Sequence, residues 1–237
     1  MKNRSEESEG ERMQALQSYD ILDSAPERAF DDFTEIASYI CQTPVALITF
    51  VDKDRQWFKS QNGLRVNQTP REQAFCDHTI LGDRVMVVED ARCDSRFYTN
   101  PLVTHDPHIR FYAGAPLITH EGFALGSLCV IDSKPGTLDP KNERVLEALA
   151  RQVVAQLELR RTSRLLAESL GRVKVLQGLL PICPHCKSIR NDQGYWTRLE
   201  SYLLTMSEAN LTHCICDDCM AHHYPEVYAE LQIEEGV

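Results

Sequence analysis

The sequence lacks any apolar run long enough to cross a bilayer, which takes about 20 residues, so no membrane span is expected. Its opening residues, MKNRSEESEGER, carry neither the apolar stretch of a signal peptide nor that of an anchor. A cytoplasmic location and no membrane partner are the resulting expectations. Positive charge is also scarce: 25 Lys and Arg stand against 35 Asp and Glu, a formal net charge of -10. Phosphate backbones need a basic surface, so nucleic acid is excluded as the expected partner. The one basic surplus falls in residues 141–180, with 8 basic and 4 acidic side chains. Glycine and proline are nearly missing there too: between Pro140 and Leu179 only Gly171 and Gly178 interrupt. That stretch predicts one long helix.

Cysteine is what the chain has in excess. Four of nine are scattered (Cys41, Cys76, Cys93, Cys129), and five crowd the end: Cys183, Cys186, Cys214, Cys216 and Cys219. In a reducing compartment such residues are thiols or metal ligands rather than disulfides.

The order of elements follows from periodicity and turn chemistry. SAPERAFDDFTEIASYICQ has Ser24 and Glu27 in capping-box spacing and Pro26 in a first turn. Phe30, Phe33, Ile36, Ala37 and Ile40 then fall on one helical face. PVALITFVDKDRQWFKSQNGL reads as a hairpin about Lys53-Asp54, closed by Asn62-Gly63. RVMVVEDA is a short strand, and HIRFYAGAPLITHEGFALGSLCVID a longer hairpin turning at His120-Glu121-Gly122. REQAFCDHTI and RCDSRFYTNPLVTHDP are too rich in turn formers to be sheet. Asp139 and Pro140 supply an N-cap and first-turn proline for the long helix. The economical fold is α+β: a central antiparallel sheet with helices on one side and loops on the other.

LDSAPERAFDDFTEIASYICQTPVALITFVD, FCDHTI, VVEDARCDSRFYTNPLVT and IRFYAGAPLITHEGFALGSLCVID resemble the GAF domains of bacterial sensor kinases and diguanylate cyclases, over roughly residues 10–160. The resemblance implies a sensory module with a cavity on one side of its sheet. The residues it points to are Trp57, Phe75, Cys76, His78, Asp90, Asn100, Arg110 and Tyr112, with Phe97 beside them. The ligand is not named by the sequence, and Phe75, Cys76 and His78 serve equally well to pack a loop on the sheet. No kinase nucleotide-binding box and no GGDEF-like stretch is found in the 237 residues. Bilin-binding relatives attach their chromophore to a cysteine directly followed by histidine, whereas Cys76-Asp77-His78 has a residue between them. A rival reading is a redox enzyme similar to free methionine sulfoxide reductase, working through Cys76. HIRFYAG has no cysteine where that enzyme has one, and no thiol adjoins Cys76 in the sequence to resolve a sulfenic acid. A second rival is a purely structural adaptor with an empty pocket. A non-catalytic sensor is the expectation.

Val145, Gln152, Leu159, Leu166, Val173 and Leu180 recur every seven residues, and Ala148, Ala155, Thr162, Ser169 and Leu176 fill the second seam position. A thin coiled coil and a homodimer are expected from this pattern. The partner in a signalling pathway is left open.

Cys183-x-x-Cys186 and Cys216-x-x-Cys219, 29 residues apart, offer four thiolates for one structural Zn²⁺. His213 or Cys214 could substitute for one of them, as could His185, His222 or His223. Between the pairs, Trp196, Leu199, Tyr202 and Leu203 form the apolar face of a helix. LPICPHCKSIR, then GYW, then HCICDDC with Tyr224-Pro225-Glu226 resembles a C-terminal module found after response-regulator, PAS and GAF domains. The expected organisation is a flexible N-terminus (1–12), a GAF domain (13–140), a signalling helix (141–180) and a zinc module (181–237).

Overall fold

A computed structural model of the 237-residue chain describes residues 6–174, 181–190, 194–206, 212 and 214–228. The side chains of residues 6, 7, 170–174, 205 and 206 are outside that description. The chain divides into two units, 1–165 and 166–237.

In the first unit, α1 (Glu6–Ser18) and α2 (Arg28–Cys41) lead into β1 (Val45–Val51) and β2 (Arg55–Asn62). A short β3 (Gln68–Pro70) and a 3-10 turn (Arg71–Gln73) follow, then α3 (Phe75–Thr79), β4 (Met86–Val88) and α4 (Pro101–Thr104). The long hairpin β5 (Phe111–Ile118) and β6 (Ala124–Asp132) then gives way to α5 (Pro140–Lys174). The six strands form one antiparallel sheet in the order β3-β2-β1-β6-β5-β4. This is the α+β arrangement expected from the sequence, with a long helix following the sheet.

Strand alternation sorts the core into two layers, because successive side chains point to opposite faces. Ile48 and Phe50 of β1, Phe111 and Ala113 of β5, and Leu128 and Val130 of β6 share one face. They pack with Leu16, Phe30, Leu146, Val153 and Leu157 from α1, α2 and α5. Leu47, Val51, Tyr112, Cys129 and Ile131 share the other face and pack with Phe75, Ile80, Phe97 and Val103. Gly126 is required where β6 crosses β1. A Cβ there would sit 1.8 Å from the Thr49 carbonyl oxygen, so any side chain would force the strands apart.

Several local expectations are corrected. α1 begins at Glu6, inside the stretch expected to be flexible, and it buries Arg12 completely. The Arg12 guanidinium donates to the Val51 carbonyl and to Glu9, which pins α1 to the end of β1. α2 starts three residues later than the capping-box reading. Glu27 is its N-cap without a side-chain cap bond, and the Ser24 hydroxyl donates instead to the Ile21 carbonyl. Ile36 is exposed, and its expected place in the core is taken by Thr34, whose hydroxyl pairs with Ser60. At the start of α5 the expectation holds: Asp139 accepts from the Lys141 N–H at 2.6 Å, and Pro140 is the first residue.

In the second unit, β7 (Ile189–Arg190) and β8 (Trp196–Thr197) pair antiparallel. They are followed by α6 (Leu199–Met206) and α7 (Asp217–His223). Among its described residues Ile189 alone is a buried hydrophobic; Trp196, Leu199, Leu204 and Tyr224 are exposed.

Candidate functional site

On the face covered by α3 and α4, a cavity of about 350 Å³ opens between β2, β3 and the helices. Its walls are mostly apolar: Leu47 from β1, Phe58 from β2, Phe75 from α3, Leu102 from α4, and Ile109 and Tyr112 at the start of β5. The polar residues of the lining are Gln56 of β2, Gln68 and Thr69 of β3, Arg65 and Asp106. Among the described residues the buried Thr69 hydroxyl has no hydrogen-bond partner. An apolar chamber with a few placed polar groups is the usual build of a small-molecule site.

Of the residues singled out in the sequence, the structure brings Phe75, Cys76 and Tyr112 together on this cavity. Trp57 lies on the opposite face of the sheet, packed in the helix-side core, because its parity on β2 is opposite to that of Gln56 and Phe58. His78 stands edge-on to Phe97 and lines no wall; burial holds its imidazole below the ordinary range. Asp90 pairs with Arg92 at 2.7 Å. Asn100 caps α4, accepting from the Leu102 N–H, and donates to the Gln73 carbonyl. Arg110 donates to the Val103 and Ile109 carbonyls. Asn100 and Arg110 are therefore committed to holding loops. Among the lining residues missed were Leu47, Gln56, Phe58, Thr69, Leu102 and Ile109. The parity of β2 pointed to Gln56 and Phe58, but not to which face holds the cavity.

Cys76 has a thiol neighbour that the sequence did not reveal. Cys129 Sγ lies 3.8 Å from Cys76 Sγ, and both are buried. The Tyr112 hydroxyl donates to Cys76 Sγ at 3.4 Å and lies 2.7 Å from the Thr79 hydroxyl. Gly114 makes this possible: a Cβ there would fall 2.2 Å from the Tyr112 hydroxyl oxygen, so the phenol can lie along the strand only over a glycine. Burial pushes the Cys76 thiol up, but hydrogen bonding from Cys129, with Tyr112 adding to it, brings it down to about 7. Its hydrogen bond to Cys76, together with burial, pushes Cys129 well above the ordinary thiol range.

The back of β2 leads to α5. The pairing of β1 with β2 jumps from Thr49↔Phe58 to Ile48↔Ser60, leaving Lys59 as the extra residue of a bulge. Bulges re-aim side chains, and this one sends Lys59 and Ser60 to the helix side, opposite the cavity wall formed by Phe58. The fully buried Lys59 ammonium donates to Glu27 at 2.7 Å, to the Ser24 hydroxyl and to the Ala25 carbonyl. Arg160 of α5 donates to the same Glu27 oxygen at 2.9 Å and to the Tyr19 and Asp20 carbonyls. Partial burial pushes the Glu27 carboxyl up, but Lys59 and Arg160 outweigh it and hold it below its ordinary value.

In the second unit each CxxC is already turned. The Cys183 N–H donates to the Ser188 carbonyl, the Lys187 N–H donates back to Cys183, and Lys187 adopts a left-handed φ of 58°. Cys216 caps α7, with Cys219 in its first turn. Hydrogen bonding with Ser188 brings the Cys186 thiol down to about 7, and Cys216, beside Cys219, is also held below its ordinary value. Each pair therefore suits half of a tetrahedral thiolate site. Among the described residues no three or more His, Cys, Asp or Glu side chains stand close enough together to hold one ion. Cys214 is exposed, and His213 lies outside the described residues.

With the sheet order, the cavity and the long α5 in view, the class is an α+β domain built on one antiparallel sheet, and comparison with known proteins gives the family. Residues 25–157 match the GAF domain; the chain belongs to the GAF-domain family. It is similar to a cyclic di-GMP phosphodiesterase of Pseudomonas aeruginosa, 43% identical over 166 residues, covering 70% of this chain and 28% of that protein. Among solved structures it resembles the blue-light-absorbing form of the Thermosynechococcus elongatus PixJ GAF domain. That match has a TM-score of 0.50 and 12% identity, and covers 68% of this chain and 95% of the other. A free methionine-R-sulfoxide reductase of Neisseria meningitidis matches at a TM-score of 0.48 and 14% identity, covering 68% of this chain and 96% of the enzyme. Among the described residues no helix is long and apolar enough to cross a membrane.

Proposed function

We propose that this chain is a cytoplasmic, non-catalytic sensor in which a small molecule held by the GAF domain changes the state of α5. The observation that carries the reading is the apolar 350 Å³ cavity with a buried, unpartnered Thr69 hydroxyl on its polar side. A ligand of that shape has an apolar, ring-sized body and one hydrogen-bonding end directed to Thr69 and Gln56. Occupation presses on Phe58 and Gln56, and the Lys59 bulge behind them passes the displacement through Glu27 to Arg160. The activity in the name of the Pseudomonas relative is not carried over, since the chain spans only 28% of that protein.

The test is saturation-transfer NMR on the purified chain with a set of small aromatic acids and amides. Members that bind, and are displaced by one another, support the reading. A set that shows no transfer from the protein at millimolar concentration contradicts it.

α5 acts as the output and as the seam of a homodimer. Leu146, Ala150, Val153 and Leu157 are spent on the sheet, whereas Leu159 and Leu166 are 59% and 58% exposed on the seven-residue stripe. Val173 and Leu180 of the same stripe lie outside the described side chains. Sedimentation at micromolar concentration is expected to give a dimer, and Leu166→Glu a monomer, because a carboxylate in an apolar seam loses its hydration. A monomer in the unaltered chain would refute the seam.

The second unit is proposed to be a structural module built on one Zn²⁺ per chain, held by Cys183, Cys186, Cys216 and Cys219. The support is the pair of preformed dithiol turns. Four protein ligands leave no position for a reacting water, so the module serves display and interaction.

A further inference from the structure

The cavity wall holds chemistry that ligand binding does not use. We propose that Cys76 and Cys129 form a reversible disulfide, with a small hydroperoxide entering through the cavity as the oxidant. Three features of the geometry carry this. The sulfurs are 3.8 Å apart, so bonding asks for a local approach and no rearrangement of the sheet. Cys76 lines the cavity and Cys129 does not, so an oxidant in the chamber meets Cys76 first and Cys129 waits behind it. The Tyr112 hydroxyl, itself placed by Thr79 and by the missing side chain of Gly114, points its hydrogen at Cys76 Sγ. A neutral donor there stabilises a thiolate and can hand its neighbour a proton.

The steps balance. The Cys76 thiolate attacks one peroxide oxygen; an S–O bond forms, the O–O bond breaks, and the leaving hydroxide or alkoxide takes up a proton. Cys76 is then a sulfenic acid. Cys129 sulfur attacks Cys76 Sγ; the S–S bond forms, the S–O bond breaks, and hydroxide leaves to be protonated to water. Two thiols lose two electrons and two protons, and the peroxide is reduced to two molecules of water, or to water and an alcohol. The resolving thiol that a sulfenic acid needs for recovery lies 53 residues away in sequence and is supplied by the packing of α3 on β6. Closing the bond draws Cys76 and α3 toward β6, so oxidation alters the same wall that a ligand would touch. A dithiol reductant reverses it.

The experiment treats the full native chain with a few equivalents of hydrogen peroxide, blocks free thiols and maps unreduced peptides by mass spectrometry. A Cys76–Cys129 linked peptide is expected as the main new species of the GAF domain, lost on adding dithiothreitol. Cys129→Ser should stop at a Cys76 sulfenic acid that dimedone captures, and Cys76→Ser should leave Cys129 unmodified. If Cys129→Ser does not fold, the peptide map of the unaltered chain decides by itself. Free Cys76 and Cys129 after the exposed C-terminal cysteines have reacted would overturn the proposal. So would linkage that appears only once the chain is unfolded in guanidinium.

Discussion

If the proposed zinc site exists, replacing Cys216 with serine, or stripping that metal with a chelator, is expected to unfold residues 181–228 and leave the six-stranded sheet intact. Ile189 alone among the described residues of that segment is a buried hydrophobic, at 1% exposure. Burying one isoleucine stabilises by about 1.5–3 kcal/mol, whereas ordering each residue's backbone costs about 1–2 kcal/mol. A two-stranded β7–β8 pair and two short helices have nothing else of that size to set against the loss. Structural zinc in small modules contributes on the order of 10 kcal/mol at neutral pH. The GAF domain owns two core layers and should not notice. Amide hydrogen exchange reads both regions at once. Peptides from 181–206 and 214–228 are expected to lose their protection, while those from β1, β5 and β6 keep theirs. Protection that survives demonstrated metal loss would show that the thiols do not hold the segment together.

The second large effect concerns the cavity. Leu102 lines it from α4 and is only half-buried, so Leu102→Trp can place an indole in the chamber without breaking the sheet. Binding of small aromatic ligands is expected to fall below detection, a loss of at least about 2 kcal/mol if affinity starts in the submillimolar range. Retained binding in this variant would place the ligands elsewhere on the surface. Filling the chamber also mimics occupation, and so should be felt on the far side of β2.

Much of this architecture was legible because local chemistry and tertiary packing agree. The two hairpins follow from alternation and turn residues, and α5 begins where Asp139 and Pro140 say it should. α2 misled because polar groups were used for packing: Thr34 is buried by its bond to Ser60 while Ile36 stays outside. The cavity was half legible. Phe75, Cys76 and Tyr112 were found, but Trp57 faces the other way, since a strand's parity cannot say which face carries the chamber. Asn100 and Arg110 looked like ligand contacts because they are polar residues near it, and the loops consume them. The Cys76–Cys129 contact was illegible for a different reason. It joins residues 53 positions apart through the register of β6, and it needs Gly114 to clear space for Tyr112. The Glu27 hub likewise depends on a bulge at Lys59 that no turn residue announces.

The most direct test of the account is whether a change in the cavity reaches α5 through that hub. Hydrogen exchange should be compared across the unaltered chain, Leu102→Trp, and Leu102→Trp combined with Glu27→Gln. The account predicts that filling the cavity alters exchange in β2, in residues 19–27 and around Arg160, and that with Glu27→Gln the change no longer reaches Arg160. Exchange that changes only along the cavity wall, or that reaches Arg160 undiminished without the Glu27 carboxylate, would contradict it.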